Sequence, residues 1–354
     1  MMSERRTFLA LCATTALTFT GCRRRPATRQ GVLTSLVGEV IVPVTTAVAT
    51  TSSDLERAVR GLATAPSSSM LRAARARFAP ALLAWKRAQC FRAGPIVDTS
   101  ALVRATFWPA RPAAIEGILA ETSAIDETAI ANLGADARGM YALEYLLFPL
   151  ELDDAACVAS FVSEGGRRRA ELCSWLAASI ATHAASAAKA LGDGQAYAAR
   201  FAQDGQLSLS MLVQQMIETI ETLLTNRLEL VLGLAQSHML KPHELEGWPS
   251  GMSHEIVLAQ LTGNEQLYRG GDGGGLADLT RLSAPAIAQQ VSSRYEAAIT
   301  AIRALGAPLE RVVTTQRKKL ELAAAATKAL ELALKVDLAS ALGVTITFQT
   351  GDGD

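Results

Sequence analysis

The sequence predicts an all-α protein built of two helical bundles packed together, and three observations carry that prediction. Of 354 residues 49% are hydrophobic but only 5% are aromatic, an Ala- and Leu-rich balance that suits helix-on-helix packing rather than a sheet. Apolar residues recur at three- and four-residue spacing through several long segments. Between those segments stand Pro and Gly clusters of the kind that end helices. Lys+Arg and Asp+Glu are equal at 34 each, so the chain lacks the basic excess that a nucleic-acid partner requires.

Residues 1–22 are the first element, a targeting segment. Paired Arg5 and Arg6 precede a short apolar run that ends at Gly21-Cys22, the pattern of an export signal rather than of a membrane span. "RRTFL" resembles a twin-arginine signal. "FTGC" resembles a lipobox, in which Cys22 is acylated, with Phe19 where Leu is usual; a signal cut elsewhere is the alternative. Export to the periplasm and attachment to a bacterial membrane through a lipid on Cys22 follow from the first reading. No segment after residue 22 is a long uninterrupted apolar run, so no membrane-spanning helix is expected. Residues 23–31 (RRRPATRQG) read as a basic tether.

Helices then follow in order. Residues 32–62 read as a helix kinked or broken at Pro43, and residues 69–92 as an amphipathic second one. "AGPIVDTSALVRATFWPARP" is a connection punctuated by three prolines, and short helices continue to about residue 133. In "RGMYALEYLLF" (138–148), Leu143, Leu146 and Leu147 fall at i, i+3, i+4, which marks a helix. Residues 165–191 form a long Ala-rich helix that stops at Gly192. Leu209, Leu212, Met216, Ile220, Leu223 and Leu224 stripe a helix within 204–233. Two more long helices occupy 284–304 and 309–341. The alternating Val344, Ile346 and Phe348 read as an extended tail able to pair as a strand. The natural division falls near residue 200, giving domains 32–200 and 201–354.

Chemistry concentrates on the 138–148 helix. Tyr141 and Glu144 are three apart and share a face. A carboxylate within an apolar run needs a partner. Either Glu144 pairs with an Arg across the bundle, Arg92 or Arg104, or it lines a cleft with Tyr141, Trp108 and Ser250. Trp108 and Trp248 each precede a Pro and read as apolar plugs at bundle ends. His183 reads as a surface or packing residue. His238, His243 and His254, with Glu244, Glu246 and Glu255, read as solvated loop residues rather than a metal site. Cys90, Cys157 and Cys173 read as three buried thiols, with a Cys157–Cys173 disulfide, which export would permit, as the alternative. "GGDGGG" (270–275) reads as a flexible loop, because it lacks the strand and the Lys-Ser/Thr of a phosphate cradle. No GxSxG or HExxH occurs, which argues against serine and zinc hydrolysis.

"FRAGPI" (91–96), "FWP" (107–109), "GMYALEYLLF" (139–148), "GWPSGMS" (247–253) and "ALGVTITFQTGDGD" (341–354) occur in order over about 260 residues. Together they resemble the imelysin family, also called insulin-cleaving membrane protease-like. The resemblance implies an all-helical fold of two four-helix-bundle-like domains and a bacterial envelope protein associated with iron uptake, with a functional site where the domains meet. It also implies a Gly-x-His-x-x-Glu motif, read as a metal or peptidase site. Here Gly139 and Glu144 match, but Tyr141 stands at the His position, as in a branch that resembles "GLPALEYLLF". A phenol of ordinary pKa about 10 is protonated at neutral pH and is a poor ligand for most metals, ferric iron excepted. The peptidase reading therefore loses its main residue. The resemblance favours a non-catalytic binding protein with Glu144, Tyr141, Gly139, Trp108, Ser250 and Arg92 at its site. Iron or another metal, held by Glu144 and Tyr141, is the cofactor it suggests, and iron-uptake envelope proteins are the partners. A metal-dependent envelope peptidase and a scaffold for an envelope protein are the alternatives.

Overall fold

The structure, a computed structural model, describes residues 27–234 and 245–346. Residues 1–26 with Cys22, His238 and His243, and the terminal residues from 347 on, Phe348 included, lie outside the described residues. Among the described residues every regular element is helical, as the composition predicts.

The first helix, α1 (Arg29–Thr64), continues through Pro43, where a kink or break is expected. Its turns widen to π-helix at Val37–Ile41, and Pro43 follows in the first turn of the next α-helical segment. A proline there replaces a donor whose hydrogen bond the register change has already disturbed, so the helix need not end. By length and hydropathy α1 could cross a membrane, which the sequence reading did not anticipate. Its apolar stripe is nevertheless core: Val48, Leu55, Val59 and Leu62 are wholly buried. The helix packs against α2 (Ser68–Ala88) and against a long later helix, Gly166–Leu191.

Short helices follow: α3 (Pro95–Asp98), α4 (Ala101–Thr106), α5 (Pro112–Ala120) and α6 (Glu127–Ala131). Then come the motif helix α7 (Gly139–Leu147), α8 (Asp154–Val162), the long α9 (Gly166–Leu191) and α10 (Gln195–Gln203). The remaining helices are α11 (206–232, with a π-helical stretch Leu224–Glu229), α12 (Ser253–Arg269), α13 (Leu276–Ser283) and α14 (Pro285–Arg303). Last come α15 (Leu309–Thr315) and α16 (317–341, π-helical over Ala333–Leu338). The expected 309–341 helix is broken at Gln316, whose backbone leaves the helical region at φ −141. Val344 is buried in the core without strand pairing.

α14 packs on α16, α16 on α11, and α12 on α14 and α11. α12 also lies along α2, so the apolar core continues without interruption from Val32 to Val344. Cys90 at the end of α2 donates to Gln260 O of α12 at 3.2 Å, and Gly263 leaves the room for this approach. Cys90, Cys157 and Cys173 are free and buried, as expected. The Gly-rich loop is docked rather than free: Gly273 N–H donates to Glu39 on α1 at 3.0 Å.

A buried charge cluster between two cavities

The motif helix begins where only glycine fits. Gly139 has φ +74, and a Cβ there would stand 2.6 Å from Ala105 O and 2.8 Å from Arg104 O of α4. That close approach sinks α7 so far that Tyr141 and Glu144 are both 2% exposed. The turn 245–252 closes over them. Gly247, at φ +75, lets Met252 N–H return to Gly247 O at 2.8 Å, and the tight turn sends Glu246 and Ser250 inward.

Glu246 is the hub. Its Oε1 accepts from Lys86 Nζ of α2 and from Tyr141 Oη of α7. Its Oε2 accepts from Arg227 Nε at 2.9 Å and from Arg227 Nη2. Arg227 lies in the π-helical stretch of α11. Burial alone would raise the Glu246 carboxyl. Arg227, then Lys86, with hydrogen bonds from Lys86 and Tyr141, outweighs burial and holds it at about 2. Lys86 is brought down to about 8 by burial and by Arg227, against the pull of Glu246. Burial and the Glu246 charge push Tyr141 well up, so its phenol stays protonated and donates.

Glu144 differs. Neither Arg92 nor Arg104 pairs with it, contrary to one sequence reading. Its Oε1 accepts from Ser250 Oγ and, at 3.3 Å, from Ser250 N–H. Burial lifts its carboxyl to about 7, and these neutral donors only moderate the rise. Burial thus drives Glu144 toward its neutral form.

The cluster stands between two cavities. One of about 460 Å³ is apolar and aromatic, walled by Trp108, Tyr141, Tyr145, Leu245 and Trp248, with Glu144 as its one charged group. The other, of about 480 Å³, is polar and faces Lys86, Arg92, Arg227, Glu246 and Gln260. Trp108 borders both, and the Trp108–Pro109 bond is cis.

Known proteins place this architecture. The model of the family Imelysin matches residues 41–336. The chain belongs to the imelysin family. Iron-regulated protein A of Synechococcus elongatus is 25% identical over 335 residues, covering 91% of this chain and 89% of that protein. The crystal structure of a protein described as an iron-regulated protein A precursor, from Parabacteroides distasonis ATCC 8503, is similar with TM-score 0.72 and 16% identity. It covers 91% of this chain and 97% of its own. An imelysin-like protein from Psychrobacter arcticum 273-4 gives TM-score 0.70 and 17% identity over 90% and 97% of the two chains. At these identities the solved structures establish the fold.

Within this imelysin fold the sequence-predicted residues do not all converge. Tyr141, Glu144, Ser250 and Trp108 come together, and Gly139 sets their depth. Arg92 faces the other cavity, half exposed, with its Nη1 4.0 Å from Glu218. His254, expected in a solvated loop, begins α12 and is buried with Nε2 2.8 Å from Ile302 O. His183 is half-buried in α9 and lines a smaller cavity with Arg104. Three cluster residues were missed as site residues: Lys86, Arg227 and Glu246. Two had a signal. Lys86 follows Phe78, Leu82 and Trp85 on the buried stripe of α2, and Arg227 follows Ile220, Leu223 and Leu224 on that of α11. Glu246 sits in a turn and offers no periodicity to read.

The donor set fits a metal ion poorly. Tyr141 spends its proton on Glu246, Glu144 is drawn toward its neutral form, and two cations already neutralise Glu246. Among the described residues no group of three or more His, Cys, Asp or Glu side chains is placed to hold a metal.

Proposed function

We propose that this imelysin-family chain is an exported, lipid-anchored envelope protein that binds a small ligand without chemically changing it, in the service of iron acquisition. The domains 32–200 and 201–354 would meet at its site. The observation that carries the binding reading is the buried Lys86–Glu246–Arg227–Tyr141 cluster, which gives two adjacent cavities walls of opposite chemistry. Such a fixed, desolvated set of polar groups beside apolar walls is what orients a small molecule. Ser250 Oγ donates to Glu144, but among the described residues no histidine joins them and no group of three or more His, Cys, Asp or Glu side chains is placed to hold a metal, so the site gives hydrolysis little to work with. The iron connection is supported by the name of the Synechococcus relative. Export and the lipid on Cys22 are supported by the pattern of residues 1–22.

The test is native mass spectrometry and elemental analysis of the full-length protein purified from membranes of its host. A non-covalent organic ligand near stoichiometric amount is expected, diminished in Trp108→Ala and Glu144→Gln. An acyl chain on Cys22 is expected in the same spectra. Metal in stoichiometric amount that is lost with Tyr141→Phe, or chelator-sensitive cleavage of a denatured protein, would overturn the reading.

A further inference from the structure

The aromatic cavity has a chemistry that a purely apolar pocket would lack. Among the described residues no Lys, Arg or His side chain lines it, and its one charged group is Glu144. The two phenols on its wall spend their protons elsewhere. Tyr141 Oη donates to Glu246, and Tyr145 Oη donates to Glu116 Oε1 at 2.7 Å. Leu150, on the same wall, is 54% exposed, so the cavity opens to solvent there and a small molecule can enter.

The two carboxyl oxygens of Glu144 are unequally served. Oε1 takes both Ser250 donors, the hydroxyl and the N–H at 3.3 Å. Among the described residues Oε2 accepts no hydrogen bond, and it is not one of the partnerless polar atoms that the fold seals off. Glu144 lines the cavity, so the surface left to Oε2 is cavity surface. Nor do neighbouring charges settle the carboxyl: Glu246 pushes it up, Lys86 pulls it down, and each counts for less than burial. A desolvated carboxylate in this position lacks a donor and a positive charge. An ammonium group supplies both at once, and aromatic walls favour a cation over an anion. A neutral acceptor would instead require Glu144 to keep its proton, and the Ser250 donors work against that by favouring the ionised form.

We infer that this cavity binds a small organic amine as its ammonium ion, with N–H groups donating to Glu144 Oε2 and an apolar body lying among Trp108, Tyr145 and Trp248. The inference rests on the binding reading above and names its ligand class. A cavity of about 460 Å³ is large enough for such a molecule.

Two pairs of compounds that share an apolar body and differ in the head group test it by calorimetry on the full chain at about pH 7.5: benzylamine against benzyl alcohol, and hexylamine against hexanol. The amine of at least one pair is expected to bind about tenfold more tightly than its alcohol. Glu144→Gln should erase that preference while keeping the alcohol's affinity, and Trp108→Ala should weaken both members of the pair alike. A second measurement needs no variant. Lowering the pH to about 5.5 protonates Glu144, while Glu246 stays ionised, Lys86 cationic and Tyr141 neutral. The amine's advantage should then be lost and the alcohol's affinity should not change. Equal affinity within both pairs overturns the inference, as does an amine preference that survives Glu144→Gln or the lower pH, or failure of all four compounds to bind. If all four fail while the host-derived ligand is still lost in Trp108→Ala, the binding reading stands and only the ligand class falls. If no host-derived ligand is found either, both fall.

Discussion

Glu144 and Glu246 lie in one cluster, both buried, both reached by hydroxyl donors, and they end in opposite states. Glu246 meets two cations and is held at about 2. Glu144 meets only Ser250 and rises to about 7. Burial acts on both in the same direction, so the difference lies wholly in the partners that the chain brings. Lys86 and Arg227 arrive on long helices whose packing fixes them, and they make Glu246 a permanent anion. Glu144 is hydrogen-bonded to Ser250 and feels Lys86 only as a weaker pull, so burial dominates it at the wall of an apolar cavity. One carboxyl serves structure and sets charge; the other is left able to exchange a proton.

The harshest way to break this comparison is to remove its charged partner. Glu246→Ala leaves Lys86 and Arg227 buried without a counter-charge, and a loss of about 3–5 kcal/mol in urea unfolding at pH 7 is expected. Replacing the three together, with Glu246→Leu, Lys86→Met and Arg227→Met, should recover most of that loss. A single-variant loss below about 1 kcal/mol would mean that the ion cluster is not desolvated as described.

The pH dependence sharpens the contrast. Glu144 has a folded pKa above that of the unfolded chain, so the folded state holds its proton more tightly. Its contribution to stability is greatest below about pH 4.5 and is lost as pH rises through about 7, a change of about 3 kcal/mol. Glu246 has the reverse sign: its contribution is present above about pH 4.5 and is lost as pH falls toward about 2. Unfolding free energies of Glu144→Gln minus wild type, followed from pH 4.5 to 8, should therefore rise with pH. A flat difference would remove the asymmetry between the two carboxyls.

Smaller effects follow from what positions them. Gly139→Ala places a Cβ against Ala105 O in a left-handed backbone conformation, and a loss of about 2 kcal/mol is expected in thermal unfolding. Ser250→Ala removes a hydroxyl donor to Glu144; about 1 kcal/mol should be lost at pH 8, with little change at pH 5 where the carboxyl is neutral.

The helices and the motif were legible because periodicity is local: every apolar residue of α7, α9 and α11 reports on its neighbours three and four positions away. The break expected as one outcome at Pro43 does not occur; the same locality is why it was expected, since the π-helical turn Val37–Ile41 just before it is invisible to a rule about one proline. The pairing of Tyr141 and Glu144 on one face was readable from spacing. Their partners were not. Glu246 comes 105 residues after Tyr141 and Lys86 stands 160 residues before Glu246, so only the folded packing could choose Ser250 over Arg92 for Glu144. The imelysin resemblance marked Tyr141 and Glu144 but not the charge balance around them, because the Tyr at the His position changes what that helix can donate.

The central claim, that burial drives Glu144 toward its protonated form beside an ionised Glu246, is open to one direct measurement. Infrared difference spectra of the folded protein between pH 5 and 8.5 record the carbonyl stretch of protonated carboxyl groups. The expected result is one buried carboxyl that loses its proton with a midpoint near pH 7 and whose band is missing from Glu144→Gln. A band that persists in Glu144→Gln, or a wild-type protein with no buried carboxyl titrating across that range, would contradict it.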